Sequence, residues 1–102
     1  MIAKSKTATY IGFAIRAGKC KMGVNSILTL KKANLILVCK SASENTKKQV
    51  LKIAKNFNCP VLTTKEKLLE EFTYKLNGKA MAITDKSLSQ AIIQNFEEDF
   101  IL

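Results

Sequence analysis

The side chains in this chain best placed to do chemistry lie in Lys19-Cys20-Lys21-Met22-Gly23-Val24-Asn25-Ser26-Ile27-Leu28-Thr29-Leu30-Lys31-Lys32. That chemistry is binding. Apolar residues at 24, 27 and 28, with Leu30 beside them, predict a helix from Val24 to about Lys32 with one buried stripe. Gly23 suits its N-cap. The first turn of a helix offers unpaired N–H groups and the positive end of the dipole, which together favour anions such as phosphate. Lys19 and Lys21 precede this turn, and Lys31 and Lys32 follow it. Asn25 sits within it, and its amide both donates and accepts hydrogen bonds. A nucleic-acid reader and an ordinary helix with solvated lysines both fit this stretch.

Bond-making chemistry finds little support elsewhere. The chain has no histidine, which removes the commonest general base and any Ser-His-Asp arrangement. Gly12, Gly18, Gly23 and Gly78 are isolated and form neither a dinucleotide fingerprint nor a P-loop. Cys20, Cys39 and Cys59 are far apart and lack metal-ligand spacing, so reduced thiols are expected, without disulfides. The carboxylates cluster late in the chain. The expectation is a non-enzymatic protein with no cofactor and no metal.

The elements that must position these residues follow from apolar periodicity. A first helix is predicted over Ala3 to Ala17, from Thr7, Tyr10, Ile11, Ala14 and Ala17, with Gly18 in the left-handed position that ends it. Lys19 to Met22 reads as a brief strand. Asn34 to Cys39 is a continuous apolar run, the mark of a strand buried on both faces. Ser41 and Glu44 have capping-box spacing before a helix of about Glu44 to Asn56. That helix buries Val50, Ile53, Ala54 and Phe57 and leaves Lys48, Lys52 and Lys55 solvated. Asn58-Cys59-Pro60 breaks it. Val61 to Thr63 is a second core strand, and Thr63 with Glu66 repeats the capping spacing before a helix from Lys65 to about Tyr74, burying Leu68, Leu69 and Phe72. Asn77-Gly78 marks a turn. Ala80 to Thr84 is a third core strand. Asp85 caps a last helix with Leu88, Ala91, Ile92 and Phe96 inward, and Glu97-Glu98-Asp99 follow. Helices alternating with short apolar strands imply one α/β domain over residues 1–102, with helices on both faces of a central sheet.

Charge adds direction. Residues 1–60 carry 12 Lys/Arg and the single acid Glu44, while residues 61–102 carry 5 lysines and 7 acids. This segregation favours a polyanionic partner, nucleic acid first. In such a sheet the start of the second helix, the Lys40–Ser43 turn and the Leu76–Lys79 loop are expected to converge at one end, where α/β folds bind ligands. No apolar run is long enough to cross a bilayer and the N-terminus lacks a signal-peptide pattern, so a cytoplasmic location is expected.

The order of elements and several segments resemble the kink-turn-binding ribosomal protein family, most closely its small bacterial YlxQ-like members. The segments are Arg16-Ala17-Gly18-Lys19, Gly23, Leu35-Ile36-Leu37-Val38, Ser41-Ala42-Ser43-Glu44-Asn45-Thr46-Lys47-Lys48, Asn58-Cys59-Pro60-Val61 and Ala80-Met81-Ala82-Ile83-Thr84-Asp85. The resemblance implies a three-layer α/β/α sandwich around a small mixed sheet, and an RNA-binding protein, ribosomal or ribosome-associated. In that family the start of the second helix enters the RNA groove, with an asparagine, an acid and a lysine reading bases. This chain has Asn25, Ser26 and Thr29 at those positions, so only the asparagine is retained. The family's late loop packs against an extruded base; here it reads Leu76-Asn77-Gly78-Lys79, with Leu76 its apolar member. The expected interface is therefore Lys19, Lys21, Lys32, Lys40 and Lys79 on phosphates, and Gly23, Val24 and Asn25 on bases. Ser26 and Thr29 are secondary donors, and Leu76, Asn77 and Gly78 complete the late loop. The expected partner is a kink-turn or related internal loop in structured RNA, bound by a monomer. A protein-interaction adaptor of the same fold, contacting its partner through the acidic C-terminal helix, remains the alternative.

Overall fold

The structure, a computed structural model, describes residues 5–73 and 78–102. Helix α1 spans Lys6–Arg16 and opens on Ser5, whose hydroxyl accepts from the Ala8 N–H at 3.1 Å. Its end follows the sequence expectation. Gly18 has φ +68°, Lys19 N–H donates to Ala14 O at 2.8 Å, and Gly18 N–H donates to Ile15 O at 3.2 Å. These two bonds are the Schellman pair that closes a helix on a left-handed residue. Strand β1 (Cys20–Met22) follows, then α2 (Val24–Ile27), β2 (Leu35–Val38), α3 (Glu44–Phe57) and β3 (Val61–Thr64). The chain continues through α4 (Leu69–Thr73), β4 (Ala80–Ile83), α5 (Lys86–Asn95), a 3-10 turn at Phe96–Glu98 and β5 (Phe100–Ile101).

The five strands form one mixed sheet in the order β1-β4-β2-β3-β5. β2 and β3 are parallel, joined by the right-length α3 crossover, while β4 runs antiparallel to both β1 and β2, and β5 antiparallel to β3. Every residue of β2 and β4 is buried, as a strand covered on both faces requires. Alternation splits them between two cores. Leu35, Leu37, Met81 and Ile83 pack with Ile11, Ala14, Leu69, Phe72, Ile92 and Phe100 under α1, α4 and α5. Ile36, Val38, Ala80 and Ala82 pack with Ile27, Val50, Ile53 and Ala54 under α2 and α3. The result is the α/β/α arrangement anticipated from the sequence.

Several local expectations are corrected. The second helix stops at Ile27 instead of running to Lys32. Thr29 and Leu30 donate to Ser26 O and Ile27 O in i→i−3 bonds, and the Thr29 hydroxyl also takes Ser26 O at 2.6 Å, which tightens the turn and closes the ladder. The chain is then drawn onto the sheet, where Asn34 N–H donates to Ile83 O. Leu28, expected in the buried stripe, keeps helical backbone but is 59% exposed. Ser43, not Ser41, caps α3 by accepting from Thr46 N–H at 3.1 Å. Thr63 caps nothing: it lies in β3, and α4 begins only at Leu69, with the Glu71 carboxylate reaching back to Leu68 N–H at 2.7 Å. Leu68 is 36% exposed rather than buried. Asp85 caps α5 as expected, accepting from Leu88 N–H at 2.8 Å. The acidic Glu97-Glu98-Asp99 segment leads into β5, an edge strand that the sequence pattern did not reveal.

Candidate nucleic-acid interface

β1, β2 and β3 end on the same edge of the sheet as β4 begins. Three loops meet there. Gly23 N–H donates to Ala80 O at 2.8 Å, so the start of α2 is tied to the start of β4. Cys39 N–H donates to Lys79 O at 2.8 Å, which ties the same segment to the end of β2. The Lys79 ammonium donates to the Ser41 hydroxyl at 3.0 Å, and that hydroxyl shares a hydrogen with the Cys39 thiol at 3.2 Å. Lys40 N–H donates to the Thr64 hydroxyl at 2.8 Å, anchoring the turn to β3. A Cβ on Gly78 would stand 3.4 Å from Gly23 N, an ordinary contact, and 3.0 Å from Met22 Cε, the far end of a flexible side chain, so the two loops lie in near contact.

Gly23 adopts φ +86°, ψ +144°, a conformation that side chains rarely take. It carries no side chain to cap the turn, so the N–H groups of Val24, Asn25 and Ser26 have no partner among the described residues. Asn25 and Ser26 are exposed beside them. A four-residue helix has little macrodipole, so α2 lacks the dipole expected of a helix running to Lys32. What this edge offers an anion is discrete N–H groups and the lysines around them.

Of the residues expected to form the interface, Gly23, Val24, Asn25, Ser26, Lys40, Gly78 and Lys79 come together. Lys21, exposed in the middle of β1, points from the face that carries α2, since Cys20 and Met22 pack into the opposite core. Thr29 closes the turn after α2 with its hydroxyl directed to Ser26 O. Lys19 and Lys32 do not join the cluster. Lys19 precedes Cys20, which pairs with Ile83 at the far end of β4, and Lys32 lies in the loop leading to the start of β2 at that same far edge. Leu76 and Asn77 lie outside the described residues. Sequence reasoning missed Ser41 and Thr64 as the groups that hold Lys79 and the Lys40 backbone; Ser41 was instead assigned to a helix cap.

The three cysteines form no disulfide. Burial pushes the Cys20 thiol up, with Lys21 pulling it partly back, and burial alone pushes up Cys59. Cys39 is buried, and its sulfur accepts from Leu69 N–H at 3.3 Å. Neither Cys20 nor Cys59 is poised as a nucleophile, since a raised pKa suppresses the thiolate. Among the described residues, no group of acidic, cysteine or histidine side chains could hold a metal ion, and no helix is long and apolar enough to cross a membrane.

The fold and this edge define an α/β/α sandwich with a basic loop cluster at the carboxyl ends of its parallel strands. No family model and no curated protein matches the chain. Its fold is similar to the solved structure of a protein with unknown function from Bacillus halodurans C, with a TM-score of 0.77 and 19% identity over 92% of this chain and 99% of that one. At that identity the likeness shows the fold alone.

Proposed function

We propose that this chain is a non-enzymatic, cytoplasmic RNA-binding protein of the ribosomal or ribosome-associated class. It recognises structured RNA of kink-turn type through the start of α2 and the loops beside it. The observation that supports this reading is the junction of Gly23, the Lys40–Ser43 turn and Gly78–Lys79, held together by the bonds to Ala80 O, Lys79 O and Ser41 Oγ. It joins unpartnered N–H groups, an exposed amide, the Lys79 ammonium held on Ser41 and the Lys40 backbone held on Thr64. RNA loops and bulges present splayed bases to such an arrangement.

The test is a titration of a kink-turn RNA and a plain duplex across salt concentrations. With two or three phosphates engaged by Lys21, Lys40 and Lys79, log K for the kink-turn should fall against log salt with a slope of about −2 to −3. Asn25→Ala should cost about 1–3 kcal/mol on the kink-turn and far less on the duplex. Lys40→Ala should weaken both RNAs and reduce the slope by about one. A slope near zero, or equal weakening of both RNAs by Asn25→Ala, refutes the reading.

A further inference from the structure

A shallow groove of about 230 Å³ opens between the end of α2 and the outer face of α3, lined by Leu28, Gln49, Lys52, Ile53 and Asn56. We infer that this groove is a second RNA contact, which holds an unstacked base of a single-stranded segment flanking the structured element. The inference rests on the RNA-binding reading and extends it to a site away from the sheet edge.

Residues 49, 52, 53 and 56 fall on one helical stripe, so four successive side chains of α3 face the same space. Leu28, 59% exposed, forms the opposite lip, and Ile53 the apolar floor. Gln49 and Asn56 flank that floor, about 10 Å apart along the axis. Both are exposed, and among the described residues neither amide has a hydrogen-bond partner. Primary amides donate and accept, as the Watson–Crick edge of a base demands. The groove is smaller than the roughly 300–1,000 Å³ of pockets that enclose a whole ligand, so it suits one flat group.

Charge selects the partner. Lys48, Lys52 and Lys55 are exposed on α3, and Lys31 and Lys32 are exposed on the loop after α2. Glu44, the one acid of residues 1–60, is at the far end of α3, 3.9 Å from Lys47. A phosphodiester beside a base fits this field, and an acidic side chain on a peptide fits it without using the flat floor. From Glu44 to Asn56 is about 18 Å along α3, so a strand leaving the sheet edge reaches the groove within a few nucleotides.

The experiment compares a kink-turn RNA with the same RNA carrying a single-stranded extension of about six nucleotides. The extension should tighten wild-type binding about tenfold, at the lower range for a paired amide contact. The Gln49→Ala/Asn56→Ala variant should lose that gain yet bind the unextended RNA as wild type does, with an unchanged thermal midpoint. The side-chain amide NMR signals of Gln49 and Asn56 should move with the extended RNA only. If the unextended RNA binds and the extension adds nothing, the groove proposal fails while the sheet-edge reading stands. If neither RNA binds, both fail. Amide signals that move with protein concentration, or with an acidic peptide and not with extended RNA, assign the groove to a second copy or a peptide and overturn the proposal.

Discussion

Replacing Gly23 with alanine isolates what its backbone conformation contributes. A Cβ at this position would meet nothing within 4 Å, so no clash complicates the result. The N–H bond to Ala80 O is available to either residue. What changes is the cost of holding φ +86°, ψ +144°, which for a residue with a side chain is about 1–3 kcal/mol. A domain of this size loses about 4–8 °C of Tm per kcal/mol, so about 2 kcal/mol lowers Tm by about 8–16 °C. Gly18 provides the reference, because it also has open space around it but lies at φ +68°, near the left-handed helical well. Gly18→Ala should cost about 1 kcal/mol, and Gly18→Asn should recover much of that, since asparagine tolerates that well. Gly23→Asn should recover nothing. Reversible thermal and urea unfolding of the four variants measures this directly. The reasoning is refuted if Gly23→Ala costs no more than Gly18→Ala, or if asparagine rescues both sites alike.

Other consequences can be checked with the same methods. Ser43→Ala should destabilise by about 1 kcal/mol through loss of the α3 cap, while Ser41→Ala should spare the helix and remove the hydroxyl to which the Lys79 ammonium donates, read as a change in RNA affinity. Phe100→Ala should cost about 3–5 kcal/mol in urea unfolding, since the ring is buried and lies 5.1 Å from that of Phe72. Thermal midpoints with and without reductant should agree, because no disulfide joins Cys20, Cys39 or Cys59. Burial raises the Cys20 and Cys59 thiols above the ordinary 9.0, so below that value they leave stability unaffected. As pH rises beyond it the unfolded chain ionises first and stability falls, and Cys20→Ala/Cys59→Ala should flatten that fall in pH-dependent unfolding.

The architecture was legible where burial is complete. Leu35–Val38 and Ala80–Ile83 read as core strands because both of their faces are covered, and α3 and α5 read as helices because each has a single apolar stripe. The end of α2 was not legible. Leu28, Leu30 and Ala33 continue a helical pattern, and only the Thr29 hydroxyl and the pull of Asn34 onto Ile83 O decide against it. Those are a local side-chain bond and a long-range backbone bond, and apolar spacing reports neither. The same limit hid β5, whose two residues form a strand through their pairing with Thr63 and Thr64. At the candidate interface, sequence order located the loops, but which edge each lysine occupies follows from strand direction. Lys19 and Lys32 therefore separated from Lys40 and Lys79.

The two faces of β4 differ in bulk: Met81 and Ile83 fill the core under α1 and α5, while Ala80 and Ala82 leave room for α2 and α3. Slippage of this strand by one residue would drive the large side chains into the shallow side and leave holes in the deep one. Each large-to-small exchange costs about 2–5 kcal/mol, and the overfilled side adds about 1–3 kcal/mol more. A mispaired sheet is thus penalised on both sides at once, and total stability of about 5–15 kcal/mol could not bear it. The same slip would carry Lys79 and Gly78 away from Ser41 and Gly23. Two alanines, chemically inert themselves, thereby act as the ruler that fixes where the basic loops meet.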